Sequence, residues 1–188
     1  LVGSEMCIRD RIQEMEKLVT SADNGRVMTE GVRTVILGKP NAGKSSLMNV
    51  LVGEERAIVT DVAGTTRDTL EEHIRLQGIS LNIIDTAGIR ETEDVVEKIG
   101  VSKARNMADE ADLIIFVVDA SIPLDKNDEE IIELIRNKKA VVLLNKTDLE
   151  MTVTKEYLEE KTGHVVIPVS AKEETGIELL EQEITQQE

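Results

Sequence analysis

Residues 38–45 read Gly-Lys-Pro-Asn-Ala-Gly-Lys-Ser, which is the pattern G-x-x-x-x-G-K-[ST]. An apolar run, residues 35–37, precedes this stretch, and a helix-forming stretch follows it. A strand, a glycine loop and a helix in this order predict a phosphate-binding loop, because glycines let successive backbone N–H groups turn towards anionic oxygens. The N-terminal end of the helix adds partial positive charge at the same place. A glycine-rich turn that binds nothing is the alternative, and the two flanking elements argue against it.

The loop and the start of its helix carry the predicted phosphate contacts. Lys44 is expected to place its ammonium on the outer phosphates and to act in catalysis, and Ser45 to offer its hydroxyl to Mg²⁺. The residues predicted to bind the nucleotide here are Asn41, Ala42, Gly43, Lys44, Ser45 and Ser46.

Composition limits the class of protein. The chain has 188 residues, of which 40% are hydrophobic, and 37 acidic against 22 basic residues give a formal net charge of −15. A nucleic-acid-binding domain carries a basic footprint, so no direct nucleic-acid contact is expected from this one. We find no apolar run of membrane-spanning length and no secretory signal, and the single cysteine, Cys7, excludes an intramolecular disulfide. These features predict a cytoplasmic protein without a membrane partner.

The hydrophobic pattern alternates between strands and helices. Strands are predicted over residues 33–37, 69–76, 80–84, 113–118, 140–144 and 165–169, and helices over residues 44–52, 95–110, 127–137, 155–161 and 177–184. Gln77-Gly78 predicts a hairpin turn, Gly163 a helix end, and Thr175 with Glu178 a capping box. This order predicts the α/β fold of a P-loop NTPase, with three α/β/α layers and a mostly parallel six-stranded sheet that contains one antiparallel strand.

A second motif, Asn145-Lys146-Thr147-Asp148, follows a buried strand, where α/β sheets bind their ligands. The Asp148 carboxylate can accept from guanine N1–H and the N2 amino group together, whereas adenine offers neither donor. The stem of Lys146 is expected to cover one face of the base while its ammonium stays solvated, and Asn145 to brace the loop. The motif therefore predicts guanine as the base.

The next strand is followed by Ser170-Ala171-Lys172, which is expected to close the base pocket. The backbone N–H of Ala171 is a candidate donor to guanine O6, and Lys172 is a candidate cover for the other face of the base. Together with the phosphate loop, these two motifs favour a guanine-nucleotide site over an ordinary polar loop.

Hydrolysis needs groups around the γ-phosphate. Asp85, at a predicted strand end, is expected to hold Mg²⁺ through water, and Gly88 to donate its N–H to the γ-phosphate. Thr66 is expected to supply a further Mg²⁺ ligand from a loop. Loss of the γ-phosphate would release both loops, which is the switch of GTPases.

In order and spacing, these motifs resemble a translation-factor-type P-loop GTPase. Residues 41–46 (Asn-Ala-Gly-Lys-Ser-Ser), 64–68 (Gly-Thr-Thr-Arg-Asp) and 96–100 (Val-Glu-Lys-Ile-Gly) more narrowly resemble the G domain of the MnmE (TrmE) family of tRNA-modification GTPases. The resemblance runs from about Ile12 to the end of the chain.

The resemblance implies further roles. Glu97 becomes the catalytic residue that polarises water, a role that Ile89, after Gly88, cannot fill. It also implies a K⁺ ion bound by the Asn41 side chain and by a loop containing Thr60 and Val62. Family members dimerise through the switch loops and act on the tRNA wobble uridine with an FAD-dependent partner, MnmG.

Three domain segments are expected on this basis. Residues 1–11 are a non-native or disordered leader, residues 12–30 a helix from a flanking helical domain plus a linker, and residues 31–188 the GTPase domain. The main rival hypothesis is a ribosome-assembly GTPase of the Era or Der type that acts as a nucleotide-state switch. An ATP-using P-loop kinase is disfavoured by Asn145-Lys146-Thr147-Asp148.

Overall fold

A computed structural model of the chain describes residues 25–27, 30–39, 41–54, 72–76, 79–84, 100–173 and 176–187. Its strands are β1 (Val32–Leu37), β2 (Glu72–Leu76), β3 (Ile79–Ile83), β4 (Leu113–Asp119), β5 (Ala140–Asn145) and β6 (Val166–Pro168). Its helices are α1 (Lys44–Glu54), α2 (Gly100–Glu110), α3 (Lys126–Ile135), α4 (Lys155–Thr162) and α5 (Ile177–Gln187). Within these ranges no helix combines the length and the apolar character needed to cross a membrane.

The six strands form one sheet in the order β2-β3-β1-β4-β5-β6. β2 runs antiparallel to β3, and the remaining neighbours are parallel. The predicted fold class is therefore confirmed. β1 has β3 on one side and β4 on the other, so the strand order reverses there, and a crevice that binds ligands opens at the carboxyl ends of the strands at such a point.

The core lies on both faces of the sheet. Alternate residues of β4 face opposite ways: Ile115 packs in the cluster that contains α1 and α5 residues such as Leu47 and Leu180, while Phe116 packs with Ile132 of α3 and the other helices. All seven residues of β4 and all six of β5 are buried. Two-sided burial explains why these strands read as continuous apolar runs in the sequence.

Several boundaries differ from the sequence predictions. In the predicted segment 12–30, residues 25–27 are helical. The strand predicted over residues 165–169 is shorter, and α3 begins at Lys126 under a capping box that the sequence analysis does not predict. The predicted end of α4 is confirmed: Gly163 has φ +71° and donates its N–H to the Glu159 carbonyl at 2.9 Å. The predicted leader 1–11, residues 12–24 of the predicted segment 12–30, the turn Gln77-Gly78 and the capping box at Thr175 lie outside the described residues.

Candidate nucleotide-binding site

The phosphate loop leaves the carboxyl end of β1 and enters α1 at Lys44. The Lys44 ammonium lies over the loop itself, donating to the Gly38 carbonyl at 2.5 Å and to the Lys39 carbonyl at 3.1 Å. Burial lowers the pKa of Lys44, because desolvation disfavours the charged form. Phosphate oxygens at the mouth of the loop would give this ammonium a negatively charged partner.

The loop backbone has the conformation that a phosphate cradle needs. The Ala42 N–H donates to the Lys39 carbonyl at 3.2 Å, which closes a turn, and Asn41 within that turn has φ +63°. Asn41 is a residue type that adopts this left-handed conformation more readily than most. Its side chain, like those of Ser45 and Ser46, is exposed at the loop and the first turn of α1.

Asn145 joins the phosphate loop to the base-side loops. It is buried at the end of β5, where its Nδ2 donates to the Ala42 carbonyl at 2.9 Å and its Oδ1 accepts from the Ala171 N–H at 3.0 Å. The bracing role predicted for Asn145 thus has concrete partners. The Ala171 N–H, predicted as a donor to guanine, is bonded to Asn145 here, so a bond to the base would share or replace this one.

The Asp148 carboxylate is oriented by the last loop. The Ser170 hydroxyl donates to Asp148 Oδ1 at 2.8 Å, and the Thr147 hydroxyl donates to the Val169 carbonyl at 2.9 Å. The structure therefore places the two predicted base-side motifs together. Lys172, the candidate cover for the second face of the base, is exposed beside them.

Lys146 departs from the prediction that its ammonium is solvated. Its Nζ donates to Asp119 Oδ2 at 2.5 Å, and the Asp119 side chain is 6% exposed. Asp119 Oδ1 also accepts from the N–H and hydroxyl of Ser121, at 2.9 and 2.6 Å. Burial alone would raise the pKa of Asp119, but Lys146 and Ser121 together lower it, so the carboxylate stays charged.

Asp119 is a functional candidate that the motif analysis missed. The available signal was an acidic residue at the end of an otherwise apolar strand. In the parallel register Asp119 of β4 lies directly opposite Asn145 of β5. Asp119 is therefore close to Lys146, the residue that follows Asn145. Lys146 itself has φ +63°, a strained conformation for a lysine, which the ion pair and the neighbouring loop hold in place.

We expect Asp119→Asn to weaken guanine-nucleotide binding. Asparagine can keep the acceptor for Ser121 but turns an amide towards the Lys146 ammonium, so the lysine stem is no longer held at the base position. Loss of one charge-assisted hydrogen bond predicts an increase of about tenfold in the Kd of GDP. Equilibrium titration with fluorescent N-methylanthraniloyl-GDP measures it.

Asp109→Asn is the matched control, since Asp109 pairs with Lys138 at 2.6 Å on the surface, beyond the opposite end of the strands. Its GDP affinity should equal that of the parent chain. Equal weakening in both variants would trace the effect to net charge and remove Asp119 from the site.

Six predicted site residues fall outside the described part of the chain: Thr60, Val62, Thr66, Asp85, Gly88 and Glu97. The described neighbour of Asp85 is informative, since the Ile84 N–H donates to the Thr34 carbonyl of β1 at 2.9 Å. The chain thus enters Asp85 from a strand that lies beside the one leading to the phosphate loop. Ser45 is exposed at the first turn of α1, and its hydroxyl oxygen is a type of ligand that Mg²⁺ takes.

A protein-family model described as "50S ribosome-binding GTPase" matches residues 33–146. The chain belongs to this GTPase family. It is a GTPase domain, an enzyme that hydrolyses GTP, and GTP, GDP and Mg²⁺ are the ligands that membership implies for the site built above.

Curated relatives narrow the similarity within this GTPase family. The tRNA modification GTPase MnmE of Lachnoclostridium phytofermentans is 57% identical over 93% of this chain, and that of Alkaliphilus oremlandii is 54% identical over 89%. The MnmE of Clostridioides difficile is 49% identical over 92%. The chain spans only 38%, 37% and 38% of the length of these three relatives.

Solved structures agree on the fold of this GTPase. A point variant of Era from Aquifex aeolicus, crystallised with GDP and AlF₄⁻, superposes with a TM-score of 0.59 at 29% identity, over 82% of this chain and 56% of that chain. The G domain of the FeoB iron transporter from T. maritima superposes with a TM-score of 0.60 at 24% identity, over 82% of this chain and 97% of that chain. At that identity the second likeness concerns the fold alone.

Proposed function

We propose that this chain is the GTP-hydrolysing domain of a tRNA-modification GTPase. Guanine nucleotide binds to the phosphate loop and to the base-side loops, which Asn145 connects. The observation that carries the nucleotide site is the pair of hydrogen bonds at Asn145, which donates to the Ala42 carbonyl and accepts from the Ala171 N–H and so joins the phosphate loop to the base-side loops. Sequence identity of 57% to a curated MnmE, over 93% of this chain, supports the assignment to tRNA modification.

Our proposed reaction is attack of water on the γ-phosphorus with departure of GDP. Lys44 leaves the carbonyls of Gly38 and Lys39 in part and donates to phosphate oxygens, where it offsets the charge that develops between the β- and γ-phosphates. Ser45 and Thr66 would ligate Mg²⁺ and Asp85 would hold it through water, and the bound ion would neutralise phosphate charge. The Gly88 N–H donates to the γ-phosphate.

Two finer assignments belong to this proposal. Asn41, exposed on the loop at φ +63°, would hold K⁺ together with backbone carbonyls at Thr60 and Val62, and the ion would supply the charge that an arginine finger supplies in other GTPases. Glu97 polarises the attacking water. Both rest on the resemblance of residues 41–46 and 96–100 to the MnmE family.

The longer protein is also part of the proposal. It acts in the cytoplasm as a homodimer through its switch loops, modifies the wobble uridine of tRNA with the FAD-dependent MnmG, and contacts tRNA through regions other than this acidic domain. The formal charge of −15 supports the last point, because phosphate backbones repel such a surface.

GTP turnover in KCl and in NaCl at matched ionic strength, over a range of protein concentrations, tests the proposed function. We expect turnover to be at least about tenfold faster in KCl, because a bound cation would stabilise the negative charge of the transition state. Turnover per molecule should also rise with protein concentration. Equal rates in the two salts would remove the cation mechanism.

The same assay tests Glu97. Glu97→Ala should lower kcat while GTP binding stays near that of the parent chain, because water activation is lost but no binding contact is removed. A parallel loss of binding would make Glu97 structural.

A second candidate is a ribosome-assembly GTPase of the Era type, which the likeness to Era at 29% identity favours. In that case the nucleotide state would matter more than turnover. A lack of response to both K⁺ and Glu97→Ala would support it.

A further inference from the structure

Lys39, the second residue of the phosphate loop, carries a side chain that none of the motif roles uses. Its side chain is only 11% exposed, and its Nζ donates to Asp128 Oδ2 at 2.7 Å and to Asp125 Oδ2 at 3.1 Å. Both carboxylates belong to the start of α3. We call this cluster of Lys39, Asp125 and Asp128 the α3 latch.

The carboxylates of the latch are themselves fixed by the helix. Asp125 is the N-cap of α3, with Oδ1 accepting from the N–H groups of Asn127 and Asp128 at 2.9 and 3.1 Å. Asp128 Oδ2 returns to accept from the Asp125 N–H at 3.0 Å, which completes a capping box. Lys39 therefore bonds to two groups that the helix end holds rigidly.

Within the latch, the Lys39–Asp128 pair is buried in a way that costs stability, whereas the Asp125 side chain is 51% exposed. Asp128 is 1% exposed, and its Oδ1 has no hydrogen-bond partner among the described residues. Burial opposes a charged Lys39, yet its bonds to Asp128 and Asp125 raise its pKa overall. A buried ion pair with an unpaired oxygen adds little net stability, and the best-attested use of such a pair is to specify position.

The position specified is that of the Lys39 backbone. The Lys39 carbonyl closes the loop turn by accepting from the Ala42 N–H at 3.2 Å, and the same oxygen accepts from Lys44 Nζ at 3.1 Å. One residue thus anchors both the turn and the phosphate-binding ammonium. Its own side chain ties that anchor to an element 86 residues further along the chain.

We propose that Lys39 is a positioning residue for nucleotide binding, which holds the phosphate loop in its receptive shape by latching it to the capping box of α3. The nucleotide contacts predicted from the sequence include none of the three latch residues. The latch slows nucleotide release because the loop cannot open without moving Lys39 away from both carboxylates.

The dissociation rate of N-methylanthraniloyl-GDP from the 188-residue chain, measured by displacement with excess GDP, tests the proposal. Lys39→Met should raise this rate about tenfold or more, since it removes two charge-assisted hydrogen bonds that hold the loop. Lys39→Arg should restore a rate within about twofold of the parent, because the guanidinium can bond to both carboxylates.

Lys126→Met is the matched control. Lys126 is the first residue of the same helix, its side chain is 89% exposed, and it loses the same charge without touching the latch. Its dissociation rate should equal that of the parent chain. Equal acceleration in Lys126→Met would show that charge alone is responsible and would overturn the proposal.

Asp128→Asn provides a second variant should Lys39→Met not fold. Asparagine preserves the size of the side chain and the acceptor for the Asp125 N–H, and it places its amide where the unpartnered oxygen lies, but it removes the charge that holds Lys39. We expect about threefold to tenfold faster GDP release, in line with the loss of a charge contribution to one hydrogen bond. A lowered Tm of the nucleotide-free chain with an unchanged release rate would mean that the latch only stabilises the fold.

Discussion

Asp148→Asn is expected to convert the base preference of this domain from guanine to xanthine. The Ser170 hydroxyl donates to Asp148 Oδ1 at 2.8 Å, so an asparagine would keep its carbonyl oxygen on Ser170 and present its amide at the Oδ2 position. Guanine offers donors to both positions, whereas xanthine offers one donor and one acceptor, which match the carbonyl and amide of asparagine. Buried polar mismatches of this kind discriminate by about two to four orders of magnitude.

Competition of GDP and xanthosine diphosphate against a fluorescent nucleotide measures the switch, and the ratio of the two affinities serves as an internal control for folding. Ser170→Ala is a useful companion, because it releases the carboxylate without changing its chemistry, and should weaken GDP binding without creating xanthine preference. If Asp148→Asn still preferred GDP, Asp148 would not be the residue that recognises the base. An equal loss of affinity for both nucleotides would indicate that Asp148 has a structural role.

Gly43→Ala is expected to disrupt the site and the fold around it together. A Cβ at Gly43 would lie 2.0 Å from Asn145 Nδ2, so Asn145 must move and give up its bonds to Ala42 and Ala171. Each buried donor or acceptor that loses its hydrogen-bond partner lowers the stability by about 1–3 kcal/mol. Gly43 also has φ +105°, which adds backbone strain for any residue with a side chain.

We therefore expect GDP affinity to fall about 100-fold or more in Gly43→Ala, with GTP turnover lost in proportion. Gly163→Ala is the control: Gly163 has φ +71°, but nothing lies within 4 Å of an added Cβ, so it reports the strain without the clash. Gly163→Ala should lower Tm by a few degrees, because a left-handed backbone is less favourable for alanine than for glycine. It should leave GDP binding unchanged. Near-parental GDP binding by Gly43→Ala would show that Asn145 does not bridge the loops.

The elements of the sheet were predictable where burial is two-sided. β4 and β5 read as unbroken apolar runs, and both are buried along their whole length. Ends of elements were less predictable. The start of α3 depends on reciprocal bonds between Asp125 and Asp128, and these residues read equally well as a solvated acidic stretch.

The sequence by itself determined the phosphate loop, the Asn145–Asp148 and Ser170–Lys172 motifs, and the αβ order that places them at one edge of a sheet, because glycine conformations, strand ends and helix starts are local properties. Only the tertiary structure decided the partners. Asn145 meets Ala42 across 103 residues, Lys39 meets Asp125 across 86, and Lys146 meets Asp119 across 27. These contacts depend on the strand order, which sets β4 between β1 and β5, and no local spacing or periodicity in the chain encodes that order.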